Sequence, residues 1–172
     1  MDIVRVLFVC TGNLCRSPMA QAIGQTLARG AGLGVRLDFD SAGTHALQGR
    51  ASIDTRARAV LTRAGYRVDA HRARRVTPQD FAINDLVLAM DAGHLDSLRE
   101  ACGPEHAHKL RLFLDFAPGL EGQDVPDPYF GDLGGFDRVL GLCEAGVRGL
   151  LAAAPALFDS AGRNAIRGPS AG

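Results

Sequence analysis

The chain has 172 residues, 19 basic and 19 acidic side chains, and 47% hydrophobic residues. This length and apolar content predict one globular domain with a single core, and they exclude an intrinsically disordered chain. The formal net charge of zero gives no electrostatic reason to expect nucleic acid or an anionic membrane as a partner, and no apolar stretch approaches the ~20 residues of a membrane span.

Strand-like and helix-like segments alternate along the chain. The predicted strands are Ile3–Val9, Val35–Asp40, Asn84–Met90 and Lys109–Leu114. The predicted helices are Pro18–Arg29, Ala51–Ala64, Ala92–Ala101 and Phe136–Ala153. The first strand is apolar almost throughout, which is typical of a strand covered on both faces. We therefore predict an α/β fold in three layers, with a four-stranded parallel twisted sheet and helices on both faces.

The domain limits follow from composition near the C-terminus. A Gly- and Pro-rich loop over Ala117–Gly135 precedes the last predicted helix, and few large apolar residues occur in Asp159–Gly172. We predict a single domain over residues 1–155 and a Gly/Ser-rich mobile tail over residues 156–172.

The segment CTGNLCRSP connects the first predicted strand to the first predicted helix. Ligands of parallel α/β sheets bind beyond the carboxyl ends of the strands, where Cys10 lies. Ser17 is predicted to be the N-cap and Pro18 the first helical residue, so the loop leads into a helix N-terminus that attracts anions. Gly12 and Asn13 tolerate left-handed backbone angles, which lets the loop turn its amides inward around a phosphate.

Two side chains of this loop indicate covalent phosphate chemistry. Arg16 offers a planar fork of donors that matches two phosphate oxygens. The same positive surroundings favour a thiolate at Cys10, and a hydroxyl from Thr11 or Ser17 could stabilise it further. A bare C-x5-R spacing is common by chance, but its combination with Gly, Asn, Ser and Pro between a strand and a helix favours a nucleophile below a bound phosphate.

The stretch VLFVCTGNLCRSPMA resembles the signature of the low-molecular-weight protein tyrosine phosphatases. Four later stretches agree in order: DSAGT at 40–44, AHRARR at 70–75, LAMD at 88–91 and DPYFGD at 127–132. The resemblance extends from about Ile3 to Leu151. It implies the phosphotyrosine phosphatase I-like fold and hydrolysis of phosphotyrosine monoesters in proteins, through a phosphocysteine intermediate and without a metal or cofactor.

The resemblance also implies roles for individual side chains. Asp127, held between two prolines, would protonate the leaving oxygen and then activate water. Ser41 and His71 match supporting positions behind the phosphate loop, although a run such as HRARR is otherwise typical of a solvated basic face. The implied phosphate loop around Cys10 and Arg16 comprises Thr11, Gly12, Asn13, Leu14, Cys15 and Ser17.

Substrate choice and redox behaviour stay open. Tyr129 matches an aromatic residue of the substrate cleft, but Leu47 stands where the family commonly has Trp or Tyr, so ring stacking on that wall is lost. In the family, the residue matching Cys15 can capture the oxidised nucleophile as a disulfide. The alternative is that Cys15 is a small buried side chain that fills space.

Two other activities occur on similar folds. Thiol-linked arsenate reduction needs a further pair of closely spaced cysteines, whereas Cys102 and Cys143 are far apart in the sequence. Relatives that dephosphorylate arginine carry threonine in the place of Leu14. A non-enzymatic phosphate-binding or redox module would lack the nucleophile or the acid, and Cys10 and Asp127 are both present.

Location and assembly follow from weaker signals. The N-terminus does not resemble a signal peptide, and the four cysteines form no C-x-x-C pair and no expected disulfide framework. We expect a cytoplasmic protein, a monomer or weak homodimer, with no nucleic-acid or membrane partner.

Overall fold

The computed structural model of the chain describes residues 2–47, 51–129, 131 and 133–166. Four parallel strands form one sheet in the order β2-β1-β3-β4. The strands are β1 (Val4–Cys10), β2 (Leu37–Gly43), β3 (Leu86–Ala89) and β4 (Leu110–Leu112). The predicted four-stranded parallel sheet is thus confirmed.

Helices cover both faces of this sheet, as predicted. They are α1 (Arg16–Gly30), α2 (Thr55–Arg63), α3 (Pro78–Ile83), α4 (Ala92–Ala101), α5 (Leu133–Ala152) and α6 (Ala154–Ile166), with 3₁₀ turns at Pro104–Lys109 and Phe113–Phe116. The larger core cluster lies between the sheet and the side that carries α1, α2 and α5. The smaller cluster joins the sheet to α3 and α4 on the opposite side.

The central strand β1 shows why its sequence is apolar throughout. Val6 and Phe8 belong to the core cluster on the α1–α5 side, while Leu7 and Val9 belong to the cluster on the α3–α4 side. All four side chains are completely buried, and such burial stabilises the fold by about 1.5–3 kcal/mol for each large apolar side chain. The same alternation places Cys10 on the α1–α5 side at the carboxyl end of the sheet.

The start of α1 differs from the prediction. The helix begins at Arg16 with Cys15 as its N-cap residue, so the assignment of Ser17 as the N-cap is wrong. The Ser17 hydroxyl instead contacts the side chains of Cys10 and Asn13. Pro18 is tolerated in the first turn because the N–H that it lacks would have no partner within the helix.

The helix α3 was not predicted, although its capping signal is present in the sequence. Pro78 opens the helix, and the side chains of Thr77 and Asp80 form a capping box at its start. The helix has only six residues, too few for hydrophobic periodicity to identify it.

The C-terminal region also contains more helix than the composition indicated. The helix α6 begins at Ala154 and reaches Ile166, inside the segment expected to be a mobile tail. The Phe158 ring lies 3.7 Å from the Arg36 guanidinium, which attaches this helix to the loop before β2. Residues 167–172 lie outside the described residues, and the predicted domain boundary at 155 stays a prediction.

Within the described part of the chain, no single helix is long and apolar enough to cross a membrane, although Gly134–Ala152 and Ala154–Ser160 reach that length and composition as a pair bent by 55°.

The helix α5 is tightly packed against the chain that follows β4. A Cβ atom at Gly149 would overlap the carbonyl oxygen of Phe116, so only glycine fits at that position.

Candidate active site

The loop between β1 and α1 forms the floor of the candidate site. Asn13 takes a left-handed backbone conformation, with φ at 58°, and this turns the loop back toward the sheet. No described residue accepts a hydrogen bond from the backbone N–H groups of residues 12–15. Together with the N-terminus of α1, these donors make a nest suited to a phosphate.

The side chain of Asn13 organises the hydroxyl groups around Cys10. The buried Asn13 Nδ2 donates to Ser17 Oγ at 2.8 Å and to Ser41 Oγ at 3.0 Å. The Ser41 hydroxyl donates a hydrogen bond to Gln21 Oε1 at 2.6 Å. Ser17 accepts from Asn13, so its hydroxyl can donate either to the Cys10 sulfur at 2.9 Å or to the more distant Ala42 carbonyl oxygen at 3.4 Å. The hydroxyl can therefore stabilise a thiolate at Cys10.

The segment that contains HRARR supports the same asparagine from behind. His71 Nε2 lies 2.8 Å from the Asn13 carbonyl oxygen, and the Arg74 backbone N–H donates to Asn13 Oδ1 at 3.1 Å. The Arg74 side chain contacts Asp80 and Asp40 at 2.9 Å each. Arg72 and Arg75 of this run are exposed, as expected of a solvated basic face, whereas Arg74 is partly buried and ion-paired.

The end of β2 also fits closely against the loop. The Thr44 N–H donates to the Cys10 carbonyl at 2.8 Å. A Cβ at Gly43 would collide with the Thr11 carbonyl oxygen and lie 3.1 Å from the Asn13 backbone nitrogen. The glycine of DSAGT is therefore required by close approach of two backbones.

Arg16 is held by residues that are distant in the sequence. Its side chain is only 5% exposed, and Nη1 donates to Asp91 Oδ2 at 2.9 Å and to the Val125 carbonyl at 3.1 Å. Nη2 lies 3.5 Å from Thr11 Oγ1 and 3.7 Å from Asp127 Oδ2. Both protons of Nη1 are thus used within the protein, which leaves the Nε and Nη2 edge of the guanidinium for a phosphate.

His94 lies beside this arginine on the first turn of α4. Its Nε2 is 2.7 Å from Thr11 Oγ1, and its Nδ1 is 3.0 Å from Asp91 Oδ1. Burial, and then the nearby Arg16 charge, lower the pKa of His94 to about 4, against the opposing effect of Asp91. The imidazole is therefore neutral near pH 7.

Asp127 stands at the rim of the site in a more open setting. Its side chain is 52% exposed, and Oδ1 accepts a hydrogen bond from the Tyr129 N–H at 3.0 Å. Its other oxygen, Oδ2, faces Arg16 at 3.7 Å. The carboxyl group thus lies at the solvent-exposed side of the site, in contrast to the buried Arg16 side chain.

Arg56 links this acidic loop to the body of the protein. Its guanidinium lies 5.4 Å from the Tyr129 ring centre and 4.7 Å from that of Phe136, and it pairs with Asp54 at 2.9 Å. Hydrogen bonding to Arg56 lowers the pKa of Asp54, which keeps the carboxylate charged. The Asp54 N–H donates to the Leu14 carbonyl, so the contacts lead back to the phosphate loop.

These elements surround a cleft of about 290 Å³. Leu47 and Tyr129, at its mouth, are 84% and 44% exposed. The cleft is lined by Cys10, Thr11, Gly12, Leu14, Cys15, Arg16, Leu47, Ala51, Ala73, Asp127 and Tyr129. Except at the floor and at Asp127, its walls are largely apolar, which suits a flat hydrocarbon group such as a phenyl ring.

The second cysteine of the loop is buried and unfavourable for thiolate chemistry. Burial, and then the Asp54 charge, raise the pKa of Cys15 to about 12. The fully buried Cys143 likewise has its pKa raised to about 12, mainly by burial. A protonated thiol attacks oxidised sulfur slowly, so rapid disulfide formation by Cys15 would need a structural opening. The redox pairing with Cys10 stays a prediction.

The structure brings together in this cleft the predicted nucleophile, arginine, acid and cleft residues, while Asn13, Ser17, Ser41 and His71 lie behind or below the loop. Sequence reasoning assigned no role to Asp91, His94 or Arg74. Asp91 and His94 follow β3, and their place beyond the carboxyl end of a neighbouring strand was the available signal. Within the described residues, no group of three His, Cys, Asp or Glu side chains is placed to hold a metal ion.

Comparisons with known proteins agree with this architecture. Residues 5–158 match the family model described as low molecular weight phosphotyrosine protein phosphatase. A low molecular weight protein-tyrosine-phosphatase of Streptomyces coelicolor is 47% identical, over 87% of this chain and 92% of the relative.

Solved structures give the same result. A protein tyrosine phosphatase from Entamoeba histolytica superposes with a TM-score of 0.84 at 33% identity, covering 88% of this chain and 97% of the other. The arginine phosphatase YwlE is more distant, with a TM-score of 0.75 at 29% identity over 86% and 93% of the two chains. The chain therefore belongs to the low molecular weight phosphotyrosine protein phosphatase family.

Proposed function

We propose that this chain is a protein tyrosine phosphatase and that Cys10 is its nucleophile. The observation that carries the proposal is the position of one buried cysteine at the floor of an apolar cleft, beside an arginine and below a half-exposed aspartate. The phosphate would bind to the loop amides and to the Nε and Nη2 edge of Arg16, with the aryl group between the walls of the cleft.

The first step transfers the phosphoryl group to sulfur. The Cys10 thiolate attacks phosphorus in line, the bond from phosphorus to the ester oxygen breaks, and Asp127 gives its proton to the departing phenolate. Arg16 and the loop amides stabilise the charge on the equatorial oxygens. Ser17 stabilises the thiolate before attack through its hydroxyl proton.

The second step releases phosphate. Asp127, now a carboxylate, takes a proton from a water molecule whose oxygen attacks phosphorus, and the phosphorus–sulfur bond breaks to return the thiolate. Because the Asp127 side chain is half-exposed at the rim of the cleft, the same carboxyl group can face the ester oxygen in the first step and a water molecule in the second.

The apolar walls favour an aromatic phosphate ester over phosphoarginine. Leu14, Leu47 and Ala73 offer only apolar contact, and the one carboxylate among the described residues that line the cleft is Asp127, which the mechanism uses as the acid. The substrates that fit this cleft are therefore tyrosine-phosphorylated segments of proteins.

A phosphatase assay with matched peptides tests the proposal. We expect turnover of a phosphotyrosine peptide in the presence of EDTA, inhibition by vanadate, and little turnover of the phosphoarginine analogue. An Asp127→Ala variant should still bind the phosphotyrosine peptide but turn it over far more slowly, so that the complex can be isolated. Preferential turnover of phosphoarginine, or loss of activity with EDTA, would contradict it. Arsenate-dependent thiol oxidation would favour the reductase alternative.

A further inference from the structure

The buried end of the Arg16 guanidinium is part of a closed cycle of contacts among four side chains. Arg16 Nη1 donates to Asp91 Oδ2 at 2.9 Å, and Asp91 Oδ1 lies 3.0 Å from His94 Nδ1. His94 Nε2 meets Thr11 Oγ1 at 2.7 Å, and Thr11 Oγ1 lies 3.5 Å from Arg16 Nη2. The cycle therefore contacts both terminal nitrogens of the arginine.

The direction of each proton in the cycle follows from what the groups can donate. The Asp91 carboxylate has only acceptor atoms, and its Oδ1 lies 3.0 Å from His94 Nδ1 without a well-directed hydrogen bond, so charge attraction places the imidazole proton on Nδ1. Nε2 is then an acceptor, and the Thr11 hydroxyl must donate to it. The remaining lone pairs of the Thr11 oxygen are left for the N–H of Arg16 Nη2.

The carboxylate is itself fixed by the helix that follows β3. Asp91 is the N-cap of α4, and its Oδ1 accepts from the His94 backbone N–H at 2.8 Å. His94 is only 4% exposed, although its Nδ1 makes no well-directed hydrogen bond within the described residues. Burial of a polar imidazole costs free energy because the ring loses its contacts with water. A role in positioning a neighbouring group explains why a histidine is present here despite that cost.

We propose that His94 is a positioning residue for Arg16: as a neutral acceptor it orients the Thr11 hydroxyl and, with Asp91, fixes the guanidinium plane for phosphate. This inference rests on the proposed function, since it assumes that Arg16 binds the phosphate. His94 does not touch the substrate and exchanges no proton with it. It holds Arg16 in the binding orientation before the substrate arrives, which lowers the free energy needed to order the arginine during catalysis.

Substitution of each member of the His94–Thr11 pair tests the proposal. We expect His94→Leu and Thr11→Val each to weaken inorganic phosphate binding and to lower kcat/KM for an aryl phosphate by about tenfold, the effect of one hydrogen bond that supports a charged group. The double variant should be within about twofold of Thr11→Val alone, because His94 acts on Arg16 through the Thr11 hydroxyl that this change removes. His94→Gln, whose amide oxygen can accept from Thr11, should recover most of the loss, and His108→Leu, on an exposed 3₁₀ turn, should have no effect.

Two further measurements separate positioning from stability. Nitrogen NMR shifts of His94 should show a protonated Nδ1 and an unprotonated Nε2, and the opposite tautomer would overturn the inference. Should His94→Leu fail to fold, Thr11→Ser, which keeps the hydroxyl, is expected to retain activity that Thr11→Val loses. Additive losses in the double variant, or wild-type phosphate binding by a folded His94→Leu protein, would also overturn it. A wild-type chain that neither binds phosphate nor hydrolyses the ester would instead contradict the proposed function.

Discussion

The phosphate loop and the acidic loop face each other across one cleft, yet they are built in opposite ways. The phosphate loop is buried, and its Asn13 alone contacts Ser17, Ser41, His71 and Arg74. Among the described residues, Asp127 of the acidic loop has one hydrogen bond, from a neighbouring backbone N–H, and a looser contact with Arg16.

This difference corresponds to two different tasks. A group that binds the same phosphate throughout the cycle benefits from rigid preorganisation. A group that is first an acid toward one oxygen and then a base toward another needs freedom to move. Variants of the side chains that hold the phosphate loop in shape, such as Asn13, should therefore change both binding and stability, whereas variants of the acidic loop should change turnover alone.

The largest expected effect is the loss of turnover in Cys10→Ser. A hydroxyl is a far weaker nucleophile than a thiolate, so kcat should fall by about 10⁴-fold or more. Inorganic phosphate should still bind with nearly wild-type affinity, because the amides and Arg16 are unchanged. Steady-state kinetics measures the loss of turnover, and calorimetry measures the phosphate affinity. Substantial turnover by this variant would overturn the mechanism.

Asp127→Asn should separate turnover from stability most clearly. We expect kcat to fall by about 10²-fold or more with a poor leaving group, and less with a good one. The free energy of unfolding should stay within about 0.5 kcal/mol, because the side chain is half-exposed. Glu121→Gln, an exposed change in the preceding loop, serves as the control. A large loss of stability would break the distinction between the two loops.

Asn13→Ala should affect stability and function together. It removes the side-chain hydrogen bonds and forces alanine into a left-handed conformation, so unfolding free energy should fall by about 2–4 kcal/mol. Phosphate affinity and kcat/KM should fall in parallel. Asn13→Gly is the matched variant, since it keeps the backbone freedom and loses only the side chain. Chemical denaturation compares the two, and equal stability of the alanine variant and the wild type would contradict the rigid-loop description.

The stability of the phosphate-loop region should also depend on pH through His94. Burial, followed by the charge of Arg16, lowers its folded-state pKa to about 4 from an ordinary value of 6.5, against Asp91, Asp127 and Asp124. Between these values the unfolded chain binds a proton that the folded chain does not, so stability falls as the pH falls. The contribution is on the order of 2–3 kcal/mol across this window. Denaturation of wild type and His94→Leu from pH 7 to 4 measures it, and identical slopes would disprove it.

The smallest expected effect concerns the mouth of the cleft. Leu47 is 84% exposed, so Leu47→Tyr adds an aromatic wall without disturbing the core. Aromatic contact should lower KM for an aryl phosphate by about threefold and leave kcat unchanged. Leu47→Ala should raise KM slightly. A change in kcat would show that this wall also positions the reacting atoms.

The sequence determined the features that depend on neighbouring residues. The alternation of apolar strands and helices is enough to predict a parallel sheet, and the local order of Cys10, Gly12, Asn13 and Arg16 predicts a phosphate loop at its carboxyl end. The ends of the strands and helices were predicted less accurately. The fourth strand was predicted to reach Leu114, but β4 ends at Leu112 and a 3₁₀ turn follows it. The first residues of that turn are buried in the core like those of the strand, so the apolar pattern in the sequence does not show where the strand ends.

Only the tertiary structure decided how the arginine is held. Arg16 contacts Asp91 and the Val125 carbonyl across separations of 75 and 109 residues, and Thr11 contacts His94 across 83. No periodicity or spacing in one sequence encodes such pairs, because they arise where parallel strands bring their carboxyl ends to one edge. A carbonyl oxygen such as that of Val125 carries no side-chain signal at all. The local sequence therefore identifies the reactive side chains, whereas the folded sheet determines how they are oriented.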